Sequence, residues 1–105
     1  MAELTAEMTA LLSAVRIYLD ITWTDADLDS KLVRLIEDGQ DYIDKTSGAE
    51  QDYSVRGQAR SLLFDYVRYA RSGASEMFWK NYQHELLSLR LESGVTAYEA
   101  ESTDG

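Results

Sequence analysis

The chain of 105 residues has no cysteine, no proline and a single histidine. Without cysteine there is neither a disulfide framework nor a thiolate metal site, and the composition fits a reducing compartment. With His84 as the one histidine, no imidazole pair for zinc can be built. No nucleophile-elbow serine is present for it to serve. The six glycines, Gly39, Gly48, Gly57, Gly73, Gly94 and Gly105, are all isolated, which excludes a glycine-rich phosphate cradle. No segment approaches the ~20 apolar residues of a membrane span, and the start MAELTAEMTA is too acidic and polar for a signal peptide. These absences predict a cytoplasmically made, non-enzymatic protein with no catalytic residues, no cofactor, no metal and no membrane.

Bases are also scarce: 10 Lys and Arg stand against 19 Asp and Glu, a net charge of −9. DNA binding needs cationic side chains to displace counterions, so the overall acidity argues against sequence-independent DNA binding, and no sequence-specific nucleic-acid partner is expected. The charge is unevenly placed. Residues 1–53 carry −8, residues 54–91 carry +3, and residues 92–105 carry −4 with no base. One half of a subunit can therefore attract the other half of a neighbour.

What is present is helical periodicity. Four helices are predicted, from about Thr5 to Leu19, Thr24 to Ser47, Tyr53 to Arg71 and Ser75 to Leu91. In the first, Met8, Leu11, Leu12, Val15, Tyr18 and Leu19 share a side. The second starts with Thr24 as expected N-cap, Asp27 as a weak capping-box partner, and Trp23 and Leu28 as a hydrophobic staple. Its apolar stripe is Leu28, Leu32, Leu35, Ile36, Gly39, Tyr42 and Ile43. A glycine on that stripe predicts a close helix crossing. Ser47-Gly48 and Ser72-Gly73 are the expected stops of helices two and three. The core is predicted to gather Leu12, Val15, Leu32, Leu35, Ile36, Leu62, Tyr66, Phe78, Tyr82 and Leu86. The tail ESGVTAYEAESTDG is expected to be disordered in isolation. The predicted organisation is an all-α four-helix domain over residues 1–91 and a flexible acidic tail over residues 92–105.

The stretch LLFDYVRYAR, residues 62–71, carries two faces. Val55, Ala59, Leu62, Leu63, Tyr66 and Ala70 form an apolar stripe. Arg56, Arg60, Arg68 and Arg71 lie on the far side with Phe64 among them. Single exposed hydrophobes are common, but aromatics with arginine are what protein interfaces enrich. Glu37, Asp41 and Asp44 line the outer face of helix two. They are an ordinary solvated face, a complement to the arginines of another copy, or intrachain partners of helix three; the sequence leaves all three open. Leu87 and Leu91 fall off the stripe of helix four and, with Val95 and Tyr98 in the tail, form a candidate docking surface for a partner. Asp25, Asp27 and Asp29 mimic the first ligands of an EF-hand loop. Ser30 and Ile36 stand where that loop needs glycine and a bidentate glutamate, so helix capping is the expected role.

Residues 15–48, VRIYLDITWTDADLDSKLVRLIEDGQDYIDKTSG, resemble the first half of small head–tail connector proteins of tailed bacteriophages. They share a short helix with a YL-like pair, an acidic helix start, an LI pair, a YI pair and a closing SG. Residues 59–92, ARSLLFDYVRYARSGASEMFWKNYQHELLSLRLE, resemble the second half, with LL, Y-x-x-Y and F-x-x-x-Y-x-x-E-L-x-x-L. The resemblance implies a helical subunit of the virion, assembled in the bacterial cytoplasm and lacking enzymatic activity. It also implies a homo-oligomeric ring of about a dozen copies beneath the portal protein of the DNA-filled head, joined in turn by later tail-joining proteins. A ring needs a heterologous interface, two different patches meeting around a circle. The expected pair is Glu37, Asp41 and Asp44 against Arg56, Arg60, Phe64, Arg68 and Arg71. The alternative is a small acidic helical regulatory or inhibitor protein, which would need no ring; a small helical enzyme is disfavoured by the missing motifs.

Overall fold

Thr5 opens the first helix, its Oγ1 accepting the Met8 N–H at 3.0 Å. The computed structural model describes the backbone of residues 4–103 and the side chains of residues 4–94. It contains helices α1 (Ala6–Tyr18), α2 (Ala26–Ser47), α3 (Gln58–Arg71), α4 (Ser75–Asn81) and α5 (Gln83–Thr103), with no strand among the described residues. The protein is all-α, as predicted.

Among the described residues there are five helices, not four, because the predicted last helix bends at Tyr82 (φ −110°, ψ 15°). Phe78, Trp79 and Tyr82 crowd against one another and against Tyr66 and Tyr69, with ring centroids 4.6–5.9 Å apart. The backbone gives way at this point. Hydrogen bonds still bridge the bend, from Tyr82 N–H to the Phe78 carbonyl and from Leu86 N–H to that of Tyr82. Helix three also starts later than predicted. Tyr53 turns inward to 2% exposure and bonds back to α2, a direction that a helix begun at Tyr53 would not allow. Val55 consequently lies in a turn and is 55% exposed, off the stripe predicted for it. At the other end, the α5 backbone continues through Thr103, past the predicted stop near Leu91 and through most of the predicted tail. Gly94 is the one weak helix former at that boundary. At about 1 kcal/mol relative to alanine, with no proline after it, it does not end a helix. The side chains of Val95 and Tyr98 lie outside the described residues.

α2 is the central helix, packed against α1, α3 and α5. Of its predicted stripe, Leu32, Ile36, Gly39 and Ile43 are buried and Leu28 and Leu35 half-buried, whereas Tyr42 at the stripe's flank is 38% exposed. The buried residues meet Leu11 and Val15 of α1, Leu62, Leu63, Tyr66 and Val67 of α3, Phe78 of α4, and Leu86 and Leu89 of α5 in one core. Of the predicted core, Leu12, Leu35 and Tyr82 are half-buried at its edge. Each lies at the flank of its helical stripe, where one side of the side chain still meets water.

Two helix ends use the same device. After α3, Gly73 (φ +74°) donates to the Ala70 carbonyl and Ala74 to that of Tyr69. After α1, Asp20 (φ +61°) donates to the Ile17 carbonyl and Ile21 to that of Arg16. Both are Schellman closures, the first on a glycine and the second on an aspartate. The loop that follows α1 is fastened by Arg16, which pairs with Asp29 at 3.1 Å and donates to the Trp23 carbonyl.

Candidate interaction surfaces

The start of α2 shows what its aspartates do. Asp25, not Thr24, is the N-cap: its Oδ1 accepts the N–H groups of Asp27 and Leu28 at 2.9 and 3.2 Å. The helix therefore begins one residue later than predicted. Asp29 is held by Arg16. Among the described residues, no cluster of three or more histidine and carboxylate side chains is arranged to hold a metal.

The three carboxylates predicted for the outer face of α2 divide. Glu37 and Asp41 are exposed, with Asp38 beside them. Asp44 is half-buried and committed to the fold. Its Oδ1 accepts the Tyr53 hydroxyl at 2.7 Å and the Gln51 N–H at 3.1 Å, so it is a clamp for the α2–α3 loop rather than a free surface charge. Burial is the main reason, and the Asp44 hydrogen bond the next, that the Tyr53 phenol ionises only far above its ordinary range. Gln51 completes the clamp, donating to Ser47 Oγ and to Ser93 Oγ of α5, both at 2.9 Å.

The α3 arginines divide as well. Arg60 is half-buried; it donates to the Tyr53 carbonyl at 2.8 Å and lies 4.8 Å over the Phe64 ring. Arg68 pairs with Asp65 at 3.7 Å and covers Tyr69 at 4.9 Å. Arg56 and Arg71 are exposed. No ion pair among the described residues joins Glu37, Asp41 or Asp44 to these arginines, so the intrachain alternative is not realised.

Phe64 is not a stray surface ring. It is half-buried, 5.6 Å from the ring of Tyr18 on α1, and forms the floor of a cleft of about 470 Å³ between α1 and α3. Tyr18, Arg56, Arg60, Ser61 and Asp65 supply the walls. Tyr18 donates its hydroxyl to Asp65, and that bond is the first cause holding its phenol above the ordinary range. Tyr18 was expected on the core face of helix one, yet it is 44% exposed. The structure ends α1 at Tyr18, one residue before the predicted end, and the Tyr18 ring turns to Phe64 and Asp65 instead.

A second, apolar groove of about 220 Å³ lies between α2, α4 and α5, lined by Tyr42, Trp79, Leu86, Leu87 and Arg90 among others. The rings of Tyr42 and Trp79 stack at 3.5 Å. Leu87 and Leu91 are 52% and 62% exposed, off the core as predicted. No helix among the described residues is long and apolar enough to cross a membrane.

No family model, no curated protein and no solved structure matches the chain.

Proposed function

We propose that this protein is a structural, non-enzymatic connector subunit. Copies join head-to-tail into a ring beneath the portal of a tailed bacteriophage head and link it to the later tail-joining proteins. The observation that carries the reading is the separation of charge on the folded surface. Glu37 and Asp41 stand exposed on α2, Arg56 and Arg71 stand exposed on the side of α3, and neither set is neutralised by the other within the chain. Such a pair of unlike, complementary patches suits a heterologous interface that closes a circle. The resemblance of residues 15–48 and 59–92 to connector proteins supplies the context. Leu87 and Leu91 are the proposed docking surface for portal or tail-joining proteins. In this reading residues 1–91 are the folding unit and residues 92–105 an extension that works in assembly.

Co-sedimentation with purified portal tests it. The wild-type chain should bind in multiple copies. Glu37→Lys with Asp41→Lys should weaken incorporation about tenfold, as should Arg68→Glu with Arg71→Glu; mixing the two variants should recover part of the loss. A folded wild-type chain that never binds a portal, or charge variants that assemble normally, would refute the reading.

A further inference from the structure

The Phe64 cleft is a recess between α1 and α3, open to an occupant from outside the chain's own core. Its walls offer the exposed Arg56, the half-buried Arg60 and the ring of Tyr18, with Phe64 as an aromatic floor. The one carboxylate there, Asp65, is already engaged by the Tyr18 hydroxyl and by Arg68. The cleft is thus a site for an acidic segment that brings an apolar or aromatic residue with it. Residues 95–105, VTAYEAESTDG, have that chemistry: Val95 and Tyr98, then Glu99, Glu101 and Asp104, with no base.

We propose that the cleft between α1 and α3 receives the acidic C-terminal segment, residues 95–105, of a second copy of this chain. This rests on the ring reading and specifies one of its contacts. The direction of α5 is what makes the donor another copy. α5 begins beside the chain's own cleft, where Gln58, next to the cleft residue Gly57, donates to the Glu85 carbonyl at 3.2 Å. By Ser93 it has travelled to the Gln51 clamp, and it continues as helix to Thr103. At 1.5 Å per residue the 18 residues from Glu85 to Thr103 carry the segment about 27 Å along the axis as one continuous helix that has already passed the Gln51 clamp. A neighbour's cleft is the one it can enter without the helix folding back on itself.

The test uses the full-length chain carrying Tyr98→p-benzoylphenylalanine. Isotope-labelled and unlabelled protein are mixed at millimolar concentration, illuminated, and the cross-linked peptides read by mass spectrometry. Cross-links onto residues 56–65 in pairs of mixed isotope are expected. Arg56→Glu, at an exposed position, should keep the circular dichroism spectrum and lower the yield about fivefold or more, since one cleft charge is reversed. Glu99→Arg with Glu101→Arg on the photoreactive chain should restore it. Cross-links confined to same-isotope pairs mean that the segment folds back onto its own cleft, and the proposal falls. It falls equally if the cross-links land on the Tyr42–Trp79–Leu87 groove, or if none form. Portal co-sedimentation run in parallel separates the two readings. Rings without cleft cross-links remove this contact and leave the ring, whereas cleft cross-links without portal binding do the reverse.

Discussion

A methyl group added to Gly39 would sit 2.5 Å from Cδ1 of Tyr66 and 2.7 Å from Cδ1 of Leu63. Both neighbours are buried, and the Tyr66 ring is held between Phe78 and Trp79, so neither has room to retreat. Alanine is the better helix former by about 1 kcal/mol, but forcing a carbon into a filled core typically costs about 1–3 kcal/mol. Gly39→Ala should therefore destabilise the protein despite its propensity, as a lower midpoint in urea unfolding. Tyr53 makes a second prediction at this scale. A phenol that stays neutral in the folded state and ionises near pH 10.0 when unfolded binds more protons folded than unfolded above that pH. Its contribution is intact below about pH 10 and is lost as pH rises further, by up to about 1.4 kcal/mol per pH unit. Tyr53→Phe should flatten this alkaline loss. It should also cost about 1–3 kcal/mol at neutral pH, because the bond to the Asp44 carboxylate disappears.

At the scale of elements, the start of α2 separates two neighbouring residues that look interchangeable. Thr24 and Asp25 are both good capping types, and only the folded backbone assigns the role: Asp25 is extended (φ −153°, ψ 111°) and its carboxylate reaches two N–H groups. Asp25→Ala should cost about 1 kcal/mol, whereas Thr24→Ala should cost a few tenths; paired thermal melts check the ratio. The helix ends carry the same lesson. Gly73 announces the stop of α3 because glycine enters the left-handed region without steric cost. Asp20 makes the matching stop of α1 and gave no comparable signal, since aspartate adopts that conformation only when its surroundings hold it there. Here the buried Ile21 and the Arg16 carbonyl do so.

For the whole molecule, the exposed Glu37 and Asp41 and the exposed Arg56 and Arg71 share no ion pair among the described residues. Exposed charges act over roughly a Debye length, about 8–10 Å at physiological salt, and are screened beyond it. In the proposed ring, raising salt should slow association more than it loosens finished contacts, because steering depends on exposed charge while the aromatic floor of the cleft does not. Stopped-flow mixing at two ionic strengths, read against equilibrium sedimentation, should show the association rate falling more steeply than the affinity. Equal loss in both would mean that exposed charge alone holds the contact.

Legible in the residues alone were the all-α class, the burial of Leu32, Ile36, Gly39 and Ile43 on α2, the close approach at Gly39, the glycine stops at Gly48 and Gly73, and the outward placement of Leu87 and Leu91. These follow from a period of 3.6 residues and from local backbone sterics, and both are written in consecutive residues. The tertiary structure decided the rest. It took Asp44 out of the acidic face and gave it to Tyr53, drew Arg60 inward to the Tyr53 carbonyl, seated Phe64 against Tyr18, and bent the last helix at Tyr82. Tyr18 and Asp65 stand 47 residues apart in the chain and share one hydrogen bond. No local pattern encodes such a pairing, because which polar group meets which depends on how the helices cross. Periodicity fixes the face of each helix, and packing fixes which faces meet.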